Sequence, residues 1–285
     1  ASNPAWYAVK ALPYLIRYPF GCSEQIFNRL YANSLAQYIA NSDPKIRRVF
    51  DQWKGTDALE SPLEKNEDLK EVIREETPWV RQAKRESQAR RNVGILFDEN
   101  RLAAERRRWM RMLSQLQYDD GSWPWFPGGR PSLFITLYIT TGFGRLRHLG
   151  LDVDVSLAHD ALEWLDERMQ ERYRRIVEEE KPQKHVPRPR MAMYLYMRTF
   201  FLQDKPLKKK HRKAMNFFVE RAKQHWLKVR WRQSQGHLAL ALDRLGEKKT
   251  ARAIMRSIRE RSVVDEEMGR YWRDLEPSWW GYRAP

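Results

Sequence analysis

A cysteine and a glutamine three residues apart are the two side chains here whose types and spacing could do covalent chemistry. Cys22 is the only cysteine, and Gln25 follows it in the segment Gly-Cys-Ser-Glu-Gln. Because residues three apart lie on one face of a helix, the Gln25 carboxamide can reach the Cys22 sulfur. A thiolate that attacks this amide would release ammonia and leave an internal thioester, which is far more electrophilic than the amide.

The residues around the pair predict the element that positions it. Pro19 and Gly21 are turn residues, and apolar side chains then recur at helical spacing between positions 26 and 39. This pattern places Cys22 in the first turn of a long amphipathic helix. Free amide N–H groups and the positive end of the helix dipole favour a thiolate at that position.

A thioester must also be protected from water. Slowing its hydrolysis a thousandfold requires about 4 kcal/mol of additional barrier. Burial under aromatic side chains could supply this protection, and Tyr18 and Phe20 flank the pair. We therefore predict that these two residues shield the bond.

A lone cysteine is more commonly an inert buried residue, and that alternative applies to Cys22. The segment Gly-Cys-x-Glu-Gln is more specific than an isolated Cys-x-x-Gln, because four positions are specified. At average residue usage it occurs by chance on the order of once per thousand sequences of this length.

The segment resembles the thioester motif of the alpha-2-macroglobulin and complement family. The wider stretch, with Asn-Pro-Ala-Trp-Tyr at positions 3–7 and Tyr-Pro-Phe at 18–20, is similar to its bacterial branch. The resemblance implies that Cys22 and Gln25 form the thioester and that Gly21 and Glu24 are the other matched motif positions. It also implies an all-α fold, an α/α toroid shared with terpenoid cyclases, which would be incomplete at Pro285.

A second stretch, Asp-Asp-Gly-Ser-Trp-Pro-Trp-Phe-Pro-Gly-Gly at positions 119–129, combines loop residues with large aromatics. Its glycines and prolines predict a loop, and its aromatic content predicts that the loop packs against something. Gln117, Gly121 and Trp123 resemble the Gln…Gly-x-Trp repeat of terpenoid cyclases.

In the thioester family the corresponding Asp-Gly loop lies close to the thioester. The resemblance therefore implies that Trp123, Trp125 and Phe126 lie over or beside Cys22. The alternative is that these aromatics belong to the core of the toroid, and the sequence leaves both interpretations open.

Helical patterns separated by turn signals extend along most of the chain and indicate stacked helical hairpins. Among them, helices are predicted from Ser156 to about Glu179 and from about Pro206 to Lys228. We predict a helical thioester domain over residues 1–262. Residues 263–285 are crowded with aromatics, glycine and proline, and predict an irregular tail of the same domain.

Composition limits the classes of partner. Charged residues make up 32% of the chain and the mean hydropathy is −0.78, which predicts a soluble protein. The net charge of +16 invites a nucleic-acid or membrane-surface interpretation. The densest basic cluster, at 208–213, is interpreted as a solvated helix face, and no nucleic-acid motif accompanies it. We expect neither nucleic-acid binding nor direct membrane insertion.

Motifs for other chemistry are missing from the sequence. There is no Gly-rich phosphate loop, no Gly-x-Ser-x-Gly elbow and no Asp-x-Asp-Asp cluster. No metal and no cofactor is expected, because metal-binding spacing is absent among the six histidines, His148, His159, His185, His211, His225 and His237. Two opposed carboxylates remain possible, so the alternative is a toroid enzyme, cyclase- or glycosidase-like, with Cys22 incidental. A basic binding module is the third interpretation.

The resemblance implies a protease inhibitor that works once, rather than an enzyme that turns over. In that family a protease cuts a bait segment elsewhere in the full chain, and the unshielded thioester then captures a nucleophile of the protease. The region after the Asp-Gly loop has no histidine at positions 130–134, which favours direct reaction with amines. The implied partners are proteases and other domains of the same chain. The resemblance alone implies a location in the periplasm or cell envelope, because Ala-Ser-Asn-Pro opens directly into a helical pattern without a signal-peptide signature.

Overall fold

Helices dominate the described part of the chain. The structure is a computed structural model, and it describes residues 21–42, 48, 99–178, 181–266 and 269–273. The α-helices are α1 (Ser23–Ser42), α2 (Glu99–Leu116), α3 (Leu133–His148), α4 (Ser156–Glu178), α5 (Pro189–Arg198), α6 (Arg212–His225), α7 (Arg232–Arg244) and α8 (Lys248–Glu260). Short 3-10 helices span Pro182–Lys184, Lys209–His211 and Trp226–Lys228. The predicted all-α fold is confirmed, whereas toroidal closure and an incomplete end stay predictions.

The chain divides into two compact units. The first comprises Ala1–Leu116 and Phe126–Gly128, and the second comprises Gln117–Trp125 and Gly129–Pro285. Each unit has its own buried apolar residues. The predicted boundaries, 1–262 and 263–285, follow a change in sequence composition and stay a prediction.

The first unit contains the helical hairpin of α1 and α2. Arg106 on α2 donates to the Gln37 side chain at 3.0 Å, and the Arg29 guanidinium lies 4.5 Å from the ring centre of Trp109. The later residue of α1 is paired with the earlier residue of α2, and the earlier with the later, so the two helices are antiparallel. Burial of apolar side chains stabilises this hairpin, and it involves Ile26, Phe27, Leu30, Ala36, Leu102 and Leu113.

The second unit is built around α3 and α5, which are buried over most of their surfaces. The two helices contact each other, and α5 also packs against α7, which forms a hairpin with α8. A Cβ atom at Gly144 on α3 would lie 2.6 Å from the Phe200 ring. The close packing at this point therefore requires glycine.

A buried polar network joins α4 to α5. Tyr194 donates to Asp166 at 2.7 Å, and Arg198 Nε donates to the same oxygen at 3.1 Å. Asp166 and Arg198 are each 2% exposed. Pairing keeps both charges from being isolated in the interior, and removal of either partner would leave an uncompensated charge there.

The segment before α6 differs from the sequence-based expectation. The pattern predicts a helix from Pro206 to Lys228, but α6 spans only Arg212–His225, with a 3-10 turn at each end. Lys208 and Lys210 form ion pairs with Glu163 on α4, at 2.9 and 2.8 Å. These long-range pairs accompany the non-helical start, and no local pattern predicts them.

The Glu163 ion pairs predict an acid-dependent loss of stability. Burial raises the pKa of Glu163, but hydrogen bonds from Lys210 and Lys208 outweigh it and bring the pKa from 4.5 to about 2. The folded state therefore binds its proton at lower pH than the unfolded state. The stabilisation is complete above pH 4.5 and is lost as the pH falls towards 2. Urea unfolding of Glu163→Gln should show a shallower decline over this interval, and an unchanged decline would contradict the assignment.

The tail begins with regular structure rather than the irregular chain predicted there. Strand β1 (Val263–Asp265) pairs antiparallel with β2 (Gly269–Tyr271), with Val264 opposite Arg270. β-Branched and aromatic residues favour strands, which accounts for the difference. Trp272 ties the hairpin to α8 by donating to the Ile258 carbonyl at 2.8 Å.

Candidate functional site

Cys22 lies immediately before α1, one residue from its predicted place in the first turn. Its carbonyl accepts the Ile26 amide at 2.9 Å, which makes Cys22 the residue that caps the helix. The side chain is a free thiol and is 5% exposed. The sulfur therefore lies at the positive end of the helix dipole and away from bulk water.

Gln25 lies in the first turn of the same helix, three residues from the cysteine. The residue as a whole is half-buried, yet its Oε1 is buried and accepts no hydrogen bond from any residue that the structure describes. A buried polar atom without a partner costs about 1–3 kcal/mol. The Gln25 carboxamide is therefore buried at a cost in free energy, and it lies one helical turn from a buried thiol.

The other motif residues differ in their surroundings. Glu24 accepts a 2.6 Å hydrogen bond from Asn28 on the next turn, which orients its carboxylate along the helix. Gly21 is exposed. Ser23 is fully buried, and its hydroxyl has no hydrogen-bond partner within residues 21–42 or the other described ranges.

Arg29 is a further candidate residue, which the sequence analysis did not identify. It lies two turns after Cys22 on the same helix face and is 5% exposed, with its guanidinium over Trp109. Burial lowers the pKa of Arg29, and Arg108 lowers it further, whereas Glu105 and Cys22 act in the opposite direction. In the sequence, the spacing of seven residues from Cys22 was the available signal for Arg29. The burial of its side chain depends on Trp109 of α2.

The predicted shield is described only in part. Tyr18 and Phe20 lie outside the described residues. Trp123 is fully buried, whereas Trp125 is 39% and Phe126 63% exposed. That these aromatics shield the thioester stays a prediction.

Specific polar contacts hold the aromatic loop at residues 119–129 in place. Gln117 Nε2 donates to the Gly121 carbonyl at 2.9 Å and to the Leu157 carbonyl at 2.8 Å. Asp120 accepts from the amide and the hydroxyl of Ser122. The loop is thus a fixed turn, and it places Trp123 inside the second unit.

A groove of about 590 Å³ in the second unit bears on the enzyme alternative. Asp204 is the only carboxylate among its described lining residues, and it binds Arg147 at 2.6 Å and His159 at 2.8 Å. Burial raises the pKa of Asp204, but hydrogen bonds from Arg147 and other groups bring it below the usual value. A glycosidase needs a second carboxylate and an acid with a raised pKa, so this groove does not fit that chemistry.

Across the described ranges, no group of three His, Cys, Asp or Glu residues could hold a metal ion. In the same ranges, no helix is both long enough and apolar enough to cross a membrane.

Comparison with known proteins finds similarity among solved structures. No protein-family model matches the sequence, and no curated protein matches it. Two of the similar structures are of Escherichia coli alpha-2-macroglobulin. The cryo-EM reconstruction of its native conformation matches with 14% identity and a TM-score of 0.46, over 90% of this chain and 13% of that chain. The crystal structure from domain MG7 to the C-terminus matches with 14% identity and a TM-score of 0.46, over 88% and 30%.

The chain thus spans less than a third of either matched structure. Similarity of this degree carries no argument about the function of the chain. The functional proposal below rests on the chain's own residues.

His237 predicts a second pH dependence, in the second unit. Its ring is 7% exposed and stacks on Tyr196, and its Nε2 lies 3.2 Å from an Arg145 nitrogen. Burial, followed by the Arg145 charge, lowers the pKa of His237 from 6.5 to about 4. The unfolded state therefore binds a proton at higher pH than the folded state, so acidification from pH 6.5 to 4 favours unfolding.

The expected loss at His237 is up to about 3 kcal/mol, at 1.36 kcal/mol per pKa unit. Urea unfolding at intervals between pH 7.5 and 4 measures it. His237→Phe preserves the stack on Tyr196 and should flatten the profile between pH 6.5 and 4 while leaving its slope above pH 7 unchanged. An equal slope in both proteins below pH 6.5 would contradict the assignment.

Proposed function

We propose that Cys22 and Gln25 form an internal thioester, and that the chain is the thioester domain of an alpha-2-macroglobulin-like protease trap. The observation that carries the proposal is the buried, unpaired Oε1 of Gln25, one helical turn from the buried thiol of Cys22. The motif Gly-Cys-Ser-Glu-Gln supports the same chemistry.

The bond-forming step follows from the positions of the two side chains. The Cys22 thiolate attacks the Gln25 side-chain carbon, the C–N bond breaks, and the amide nitrogen takes up a proton and leaves as ammonia. The acyl oxygen stays on Gln25. A thioester oxygen is a weaker hydrogen-bond acceptor than an amide oxygen, so its burial without a partner costs less.

Capture reverses the roles of the two residues. An amine attacks the Gln25 acyl carbon and forms a new amide, while Cys22 leaves as thiolate. The helix N-terminus stabilises the leaving sulfur. Each chain reacts once, so the protein acts as a covalent trap.

The activity of the whole trap depends on segments beyond this chain. We propose that cleavage of a bait segment elsewhere exposes the thioester, and that lysine amines of the bound protease then react. Proximity would provide most of the acceleration, because the protease is held next to the bond. The partners are proteases and the remaining domains of the same protein, in the periplasm or cell envelope.

Intact-mass measurement tests the proposal directly. A chain with the thioester is lighter than its sequence mass by one ammonia, about 17 Da. Methylamine should convert it to a species about 14 Da heavier than the sequence mass, with one thiol released per chain. A chain at its sequence mass, with a thiol that reacts before any methylamine is added, would refute the proposal.

A further inference from the structure

The outward surface of α8 carries a dense row of positive charge. On a helix of 3.6 residues per turn its basic residues fall within about 100° of the circumference. All of them are exposed, namely Lys248, Lys249, Arg252, Arg256 and Arg259. The opposite surface buries Ala251 and Ile254, and α8 packs there on α7. We call these five cations the basic face of α8.

On the other basic surfaces of the second unit, some of the cations are paired with carboxylates. Lys210 and Lys223 are paired with glutamates at 2.8–3.0 Å. Among the residues that the structure describes, no carboxylate pairs with any cation of the basic face. Like charges four residues apart, such as Arg252 and Arg256, destabilise a helix. The arrangement thus costs stability and suits an external anion.

Exposed apolar side chains accompany the charge. Met255 borders the basic face and is 51% exposed, and Val264, in the strand that follows α8, is 66% exposed. Its cross-strand neighbour is the exposed Arg270. Apolar side chains beside cations suit a membrane interface, where phosphates lie next to acyl chains. Binding of single-stranded nucleic acid would favour aromatic side chains for base stacking, and α8 has none.

We propose that the basic face of α8 binds peripherally to membranes rich in anionic phospholipids. The five cations contact lipid phosphates, and Met255 enters the boundary between headgroups and acyl chains. The proposal is independent of the thioester. Each cation near an anionic leaflet strengthens binding by about fivefold. Reversal of three of them should therefore weaken binding about a hundredfold or more.

Vesicle flotation of the 285-residue chain tests this inference. The chain should float with phosphatidylcholine vesicles that contain about one-third phosphatidylglycerol, and not with phosphatidylcholine alone. The triple variant Arg252→Glu, Arg256→Glu, Arg259→Glu should lose this binding by about a hundredfold. Circular dichroism verifies that the variant remains helical.

A matched variant separates the basic face from net charge. Lys209, Arg212 and Lys213 are exposed cations of the other basic cluster, and none of them is in an ion pair in the described structure. Lys209→Glu, Arg212→Glu, Lys213→Glu changes the net charge by the same amount and should alter binding less than about threefold.

Three results would overturn the inference. They are failure of the unaltered chain to float, equal losses in the two triple variants, and tighter binding to duplex DNA than to the vesicles at equal phosphate. Met255→Ser provides a finer test, because it leaves the charge intact. It should weaken binding to vesicles but not to DNA, and equal binding of Met255→Ser and the unaltered chain to vesicles would remove the apolar contact from the proposal.

Discussion

Gln25→Glu is expected to abolish both the missing mass and methylamine capture, so that the released thiol falls from one per chain to none. A carboxylate at this position cannot lose ammonia, and hydroxide is too poor a leaving group for the Cys22 thiolate to displace. Cys22→Ala should give the same result, because it removes the nucleophile. Intact-mass spectrometry before and after methylamine treatment, together with a thiol assay, measures all three quantities.

Gln37→Glu is the matched control for Gln25→Glu. Gln37 lies on the same helix and accepts a hydrogen bond from Arg106, which a carboxylate would also accept. This variant should retain the loss of about 17 Da and react with methylamine as the unaltered chain does. Loss of capture in both variants would attribute the effect to the helix and not to Gln25.

The mass also separates a bond that never formed from one that was hydrolysed. Hydrolysis converts Gln25 to glutamate and leaves a chain about 1 Da heavier than the sequence mass. Peptide mass spectrometry should then locate the change at Gln25 and not at Gln37. Equal deamidation at both positions would indicate ordinary chemical damage and would count against the thioester.

Gly121→Ala is expected to produce the largest loss of stability, about 3–5 kcal/mol in the second unit. Gly121 has a φ of +82°, which disfavours a side chain. A Cβ atom there would lie 2.1 Å from the Asp160 carbonyl oxygen and 2.9 Å from the Cα of Ala161. These are backbone atoms at the start of α4, so the loop and helix must separate. Urea unfolding measures the change.

Gly150→Ala is the control for this effect. Gly150 has nearly the same φ, +81°, but a Cβ atom there would meet nothing within 4 Å. Its expected cost is about 1 kcal/mol, from the backbone conformation alone. The difference between the two variants isolates the close approach of the loop to α4. Equal costs would show that this approach contributes nothing.

The fold was predictable where the signals are local. Helical periodicity with turn residues predicted α4 from Ser156 to about residue 179, and the structure ends it at Glu178. The segment before α6 was wrongly predicted to be part of the helix. Its ion pairs with Glu163 join residues more than forty positions apart, and a local pattern does not encode them. The short β-hairpin after α8 was missed because the glycine and proline of the tail favoured irregular chain over two strands of only three residues each.

The candidate site also combines features that local sequence predicts with features that depend on distant residues. The sequence by itself determined that Cys22 and Gln25 lie one helical turn apart, because the spacing of residues along a single helix is a local property. It did not identify Arg29, because the burial of that residue depends on Trp109, eighty positions later. Only the tertiary structure decided which polar atoms lose their water, among them Gln25 Oε1. Burial is set by segments distant in sequence, and no local pattern encodes it.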